Sequence, residues 1–248
     1  MATPIRLTLL FLLLLSGSTT AAELRVAVAS NFLITLEKLA EVFAYETGHK
    51  LRISSGSTGK LYTQIRAGAP YDLFLSADTE RPERLEREEH TLTDSRVAYA
   101  FGQLAFWSRK TNIDLSAEAL RAEPPARLAL ANARTAPYGR AAEQALTALD
   151  FDALPIQRVR GENIGQTFQL AYSGAAEVGL VAYSLVKAQN SGSHWLLPVE
   201  SYEPIEQQMV ILKSTDKPEL ARQFQQWMLN EGRNIILNDG YRLSESDD

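Results

Sequence analysis

The chain has 248 residues, a formal net charge of -5 and no cysteine. A mildly acidic chain without a basic stripe argues against nucleic acid or anionic membrane surfaces as partners, and without cysteine there are no disulfides and no thiol chemistry. Any anion it binds must be held by local groups.

The first segment, "MATPIRLTLLFLLLLSGSTTAAEL", has one basic residue, Arg6, an apolar run from Leu7 to Leu15, and small residues up to Ala22. This pattern predicts a signal peptide over residues 1–22, cleaved after Ala22, with Thr20 and Ala22 at the small-residue positions. The apolar run is about half of the ~20 residues a spanning helix needs, and no later segment is long or apolar enough to span. Cleavage removes Arg6 and no acid, so the formal charge of -5 becomes -6. The expected product is a soluble, exported protein.

Next come "ELRVAVA", a β-branched strand, and "SNFLITLEKLAEVFAYETG", a helix with Leu33, Leu36, Leu39, Ala40 and Phe43 at helical spacing. Ser30 or Asn31 is placed to cap its start and Gly48 to stop it. The unit repeats with the strand "HKLRIS", the helix "GSTGKLYTQIRAG" and the strand "YDLFLSAD". The polar "TERPERLEREEHTL" reads as surface helix and loop, and "SRVAYAFGQLAFWS" as one long strand. Beyond Pro124 and Pro125, strand and helix alternate again: "RLALAN", "YGRAAEQALTAL", "IQRVR", "IGQTFQLAYSG" and "EVGLVA". A strand, "IEQQMVILK", and two terminal helices close the chain. Such alternation predicts parallel sheets covered by helices, in two lobes. Strands around Ala98–Trp107 and Glu206–Leu212 are placed to cross between them.

The candidate site residues share one position, the turn from a strand end into a helix, where open α/β sheets bind ligands. Ser30 and Asn31 stand at one such turn, and Ser57, Thr58 and Gly59 at a second. Pro137, Tyr138 and Gly139 stand at a third, and Asn163, Ile164 and Gly165 at a fourth. Taken singly, each is also an ordinary cap or turn. "GSTGK" is not a nucleotide-binding loop, because only Ser57 and Thr58 separate Gly56 from Gly59 and Leu61 follows Lys60. Four helix starts with exposed amides and hydroxyls nevertheless suit an anion. Lys60 is expected to project into water, and Asp72 and Asp78 are expected to be structural, since no histidine or further acid recurs at metal-ligand spacing. His49, His90 and His194 fit no nucleophile or zinc motif, so an enzyme is not motivated.

On "AVASNF", "SSGSTGKLYTQIRAGAPYDLFLSAD", "TAPYGRAA", "ENIGQ" and "SYEPIEQQMVI", in that order, the sequence resembles the periplasmic molybdate-binding proteins (ModA), the solute-binding components of molybdate ABC importers. The resemblance implies a two-lobed type II periplasmic-binding-protein fold of the α/β class, with crossing strands, an interlobe ligand cleft and a tail that returns to the first lobe. It places lobe 1 over 23–101 and 210–248 and lobe 2 over 102–209. It puts the first ligand hydroxyl on Ser30, with Asn31 contributing its amide, and the second on Thr58, with Ser57 adjacent. The second-lobe amide donors fall on Tyr138 and Ile164. Some relatives add a tyrosine hydroxyl at a position that here is Ala182. Either Tyr183 takes its place, or the chain follows the branch that uses the Ser-Asn pair instead.

The expected ligand is molybdate or tungstate, with molybdenum held as an oxyanion and not by cation ligands, and with no cofactor. A deprotonated dianion only accepts hydrogen bonds, so amides, hydroxyls and helix N-termini satisfy it. Protonated phosphate would need an acceptor, and no acid stands at a predicted contact, although Glu162 is near. Sulfate is the alternative ligand. The implied setting is periplasmic, as a monomer that presents its closed form to the membrane permease of an ABC importer.

Overall fold

A computed structural model describes residues 21–243, so the predicted signal segment lies outside the described residues except for Ala21 and Ala22. The first strand, β1 (Glu23–Ala29), sits inside a sheet, with Leu24, Val26 and Val28 fully buried. It pairs in parallel with β2 (Lys50–Gly56) and β3 (Leu73–Leu75). The connections are α1 (Leu33–Thr47) and α2 (Thr58–Arg66). On α1, Leu36, Leu39 and Phe43 form one buried stripe. Each such side chain contributes about 1.5 to 3 kcal/mol through burial. Gly48, at φ +76°, ends the helix in a left-handed turn that most side chains would strain.

After α3 (Glu80–Arg87), the segment read as one long strand is two, β4 (Val97–Gly102) and β5 (Leu104–Ser108). The chain leaves the first sheet at Gln103 and enters the second. Glycine is required at position 102, because a Cβ there would lie 2.1 Å from the Tyr138 hydroxyl.

The second lobe runs through α4 (Ala117–Ala122), β6 (Arg127–Ala131), α5 (Pro137–Ala148), β7 (Gln157–Gly161) and α6 (Ile164–Tyr172). It continues with β8 (Val178–Ala182), α7 (Tyr183–Gln189) and β9 (Ser193–Leu196). Sequence periodicity missed α4, α7 and β9, which are too short to show a period. The chain then returns through β10 (Ile205–Ile211) and ends in α8 (Pro218–Asn230) and α9 (Arg233–Asn238).

The two sheets have the orders β2-β1-β3-β10-β4 and β7-β6-β8-β5-β9. Neither is purely parallel. β10 is antiparallel to β3 and β4, and β5 to β8 and β9, because these strands enter from the crossover instead of through a helix. β10 belongs to the first sheet from its first pair, Ile205 opposite Gly102. The second crossing therefore lies before β10, ahead of residue 210, and Glu206–Leu212 is not itself the crossing strand. The terminal helices pack on the first lobe, where Phe43 meets Phe224 at 5.1 Å and Trp227 at 5.2 Å in edge-on contacts.

Asp72 and Asp78 are both structural. Asp72 is fully buried and takes hydrogen bonds from the Arg25 backbone and side chain at 2.7 and 2.8 Å and from Thr215 at 2.9 Å. Burial alone would raise its pKa, but these bonds win and hold the carboxyl below the usual carboxylate range. Asp78 pairs with Arg81.

Candidate functional site

The four strand-to-helix turns meet between the lobes around a small cavity. The first lobe lines it with Ser30, Asn31, Ser57 and Thr58, and the second with Ala136, Pro137, Tyr138, Asn163 and Ile164. Among the described residues, no acid, lysine, arginine or histidine is in the lining. Glu162 stays outside it, exposed and bonded to Lys60. Tyr183 stands outside as well. Its amide bonds the Gln103 carbonyl at 2.9 Å and its ring lies 5.6 Å from that of His194.

Most of these hydroxyl and carboxamide groups are not caps. Phe32 holds the N-cap position of α1 with no side-chain cap bond. Ser30 and Asn31 are thus released from the capping role the sequence suggested. The Ser30 hydroxyl instead accepts from the Gly165 amide of the other lobe at 3.2 Å. Ser57 holds the N-cap position of α2, yet its side chain caps nothing. Its Oγ is buried with no hydrogen-bond partner among the described residues. Thr58 Oγ1 accepts from the Ala77 amide at 3.3 Å, which leaves its own proton free to donate, as it does for Ser30. Both hydroxyls of this loop, Ser57 and Thr58, therefore keep a proton to donate, and that of Ser57 has no partner at all among the described residues. Only Asn163 behaves as a conventional cap, accepting from the Gln166 amide at 2.9 Å.

Tyr138 is the second residue of α5 and Ile164 the first of α6. Amides at these positions have no acceptor within their own helix. They supply donors and the positive ends of two helix dipoles. Gly139 makes the approach of α5 possible, since a Cβ there would lie 2.5 Å from the Ala131 carbonyl oxygen.

Beneath the cavity lies a buried polar layer that sequence reasoning missed. Asn31 Nδ2 donates to Gln207 Oε1 at 2.8 Å and to the Tyr241 hydroxyl at 3.1 Å. Gln207 Nε2 donates to the Tyr138 hydroxyl at 3.3 Å, and the Tyr99 hydroxyl reaches Gln207 Oε1 at 3.0 Å. Burial pushes the Tyr99, Tyr138 and Tyr241 hydroxyls well above the ordinary tyrosine range, so they stay protonated. The only sequence signal for this layer was a glutamine inside the apolar run "IEQQMVI".

The lobes also touch directly. The Gly59 amide donates to the Thr135 carbonyl at 2.9 Å, and Ser184 Oγ donates to the Asn31 carbonyl at 3.1 Å. Arg140 of α5 bonds Glu80 of the first lobe at 3.0 Å, which lowers the Glu80 pKa. Lys60, expected in water, pairs with Glu162 across the cleft, although both side chains remain more than half exposed, at 55% and 58%. Exposed pairs contribute little. Lys60→Ala is expected to change oxyanion affinity by less than about threefold, as read by calorimetry. A larger loss would make this pair part of the site.

A second, larger cavity adjoins the first and shares Ala77 and Pro137 with it. Asp78, Glu80, Glu203 and Glu206 line it against one cation, Arg140. That sign of charge disfavours an anion, so the smaller, uncharged cavity is the candidate site.

Two α/β lobes closed over a cavity lined by uncharged donors define a solute-binding protein, and the profile of the family described as bacterial extracellular solute-binding protein matches residues 24–242. Within that class the chain belongs to the molybdate-binding protein (ModA) family. It is 43% identical to molybdate-binding protein ModA of Azotobacter vinelandii over 83% of this chain and 84% of the relative. It is 35% identical to the Rhodobacter capsulatus protein of the same name over 89% of this chain and 88% of the relative. The solved Azotobacter vinelandii periplasmic molybdate-binding protein superposes with a TM-score of 0.85 at 41% identity, covering 90% of this chain and 100% of that one.

Proposed function

We propose that this protein is an exported receptor that captures molybdate or tungstate between its lobes and delivers it to the membrane permease of an ABC importer. The observation that carries this reading is the cavity lining, which combines hydroxyls and helix-start amides with no ionised side chain. Such a lining satisfies an acceptor-only dianion. The names of its relatives point to the same ligand. In this reading Ser30, Asn31, Ser57, Thr58, Tyr138 and Ile164 donate to the oxyanion. The protein acts in the periplasm as a monomer, after loss of residues 1–22, and performs no catalysis. Lobe 1 comprises 23–102 and 205–243, and lobe 2 comprises 103–204.

Calorimetric titration of residues 23–248 with molybdate, tungstate, sulfate and phosphate in one buffer tests the reading. Tight one-to-one binding of molybdate and tungstate, with sulfate much weaker, is expected. Sulfate binding as tightly would make the protein a general receptor for tetrahedral dianions, and no binding of any of the four would refute the receptor reading.

A further inference from the structure

The backbone carbonyl of Asn31, in the turn that carries Ser30 and Asn31 into the cavity, accepts two hydrogen bonds from distant parts of the chain. The Tyr241 hydroxyl, 210 residues away, donates to it at 2.7 Å, and the Ser184 hydroxyl, 153 residues away, donates at 3.1 Å. A carbonyl oxygen has two lone pairs, so both are filled. The two hydroxyl oxygens lie 3.0 Å apart, and all three residues are buried.

The two donors come from opposite lobes. Ser184 belongs to α7 of the second lobe, and Tyr241 lies in the tail that follows α9 on the first. That tail is fixed to lobe 1 on either side of Tyr241. Asp239 accepts from Thr35 of α1 at 2.9 Å, and Arg242 exchanges backbone hydrogen bonds with Phe101 of β4 at 2.7 and 3.0 Å. The Tyr241 ring also packs edge-on against Phe32, the residue after Asn31, at 5.2 Å. Between these anchors the tail meets lobe 2. A Cβ at Gly240 would lie 2.8 Å from the Tyr183 ring, and the Tyr183 amide bonds the carbonyl of Gln103, where the chain crosses between the lobes. The tail is thus a third element at the hinge, beside the two covalent crossings, and it bonds a cavity residue directly.

We propose that residues 240–242 form a hinge strap, in which Tyr241 and Ser184 are positioning residues that hold the Asn31 turn from both lobes at once and so set its donors for the oxyanion. The proposal rests on the receptor reading above and adds two residues that stand outside the cavity lining. Tyr241 is anchored to lobe 1 whatever the position of lobe 2. Ser184 reaches the Asn31 carbonyl only with lobe 2 seated, so the geometry of the turn depends on closure.

The test is calorimetry with molybdate on wild type, Tyr241→Phe, Ser184→Ala and the double variant. Phenylalanine keeps the ring against Phe32 and removes only the hydroxyl. Each single variant is expected to raise the molybdate Kd about three- to tenfold, the size of one hydrogen bond between uncharged groups. Because either loss loosens the same turn, the double variant should bind more tightly than the product of the single losses predicts. An unchanged Kd in either single variant, with only the unfolding temperature lowered, would show merely structural hydroxyls and overturn the proposal. Losses that multiply would show two independent contacts and overturn the strap. Hydrogen exchange of the wild-type protein gives a readout independent of how the variants fold. A peptide covering residues 240–242 should exchange more slowly with molybdate present, and unchanged exchange would overturn the strap. A wild type that binds no oxyanion would instead refute the receptor reading, and the proposal with it.

Discussion

Ser57→Ala is expected to weaken molybdate binding by about 1.5 to 3 kcal/mol, some 10- to 100-fold, with the fold intact. The Ser57 hydroxyl is buried, faces the cavity loop and bonds nothing else, so its removal deletes a donor to the anion and no internal contact. Thr58→Ala should also lose affinity, because its O–H is free to donate to the anion, and it differs in removing the acceptor of the Ala77 amide as well, at about 1 kcal/mol of stability. Calorimetry and thermal unfolding on both variants separate the two roles. A large affinity loss in Thr58→Ala with none in Ser57→Ala would leave Thr58 as the hydroxyl donor of this loop and remove Ser57 from the site.

Gly139→Ala is expected to lower both stability and affinity. The new Cβ would sit 2.5 Å from the Ala131 carbonyl oxygen and 2.9 Å from the Ala133 amide nitrogen, and both are backbone atoms that cannot swing aside. Alanine favours a helix over glycine by up to about 1 kcal/mol, but overpacking against backbone costs about 3 kcal/mol, so the clash wins. Thermal unfolding should drop by about 6 °C or more at this chain length. Because α5 must back away from β6, the Tyr138 amide leaves the cavity and molybdate affinity should fall at least tenfold, a loss of about 1.4 kcal/mol. A variant with unchanged unfolding and binding would show that α5 can shift freely, and would remove Gly139 from the account of how the second lobe offers its amides.

The strands and helices around the site were legible because their signals are local. The spacing of Leu36, Leu39 and Phe43, the glycine stop at Gly48 and the Pro137 start of α5 each act within a few residues. The same locality made the four strand-to-helix turns candidates, and all four meet at one cavity. The break at Gln103 was not legible, since β4 and β5 read as one apolar run and only their different sheet partners divide them.

By itself, then, the sequence determined the alternation of strands and helices, the uncharged chemistry of the turns and the absence of a thiol or metal motif. Only the tertiary structure decided which of those groups remain free. Ser30 is engaged by an amide 135 residues away and Asn31 by a glutamine 176 residues away. Whether a hydroxyl or carboxamide is a cap, a strut or an unpaired donor depends on what distant segments place against it, and a hydrogen bond made across that separation leaves no periodicity in the chain.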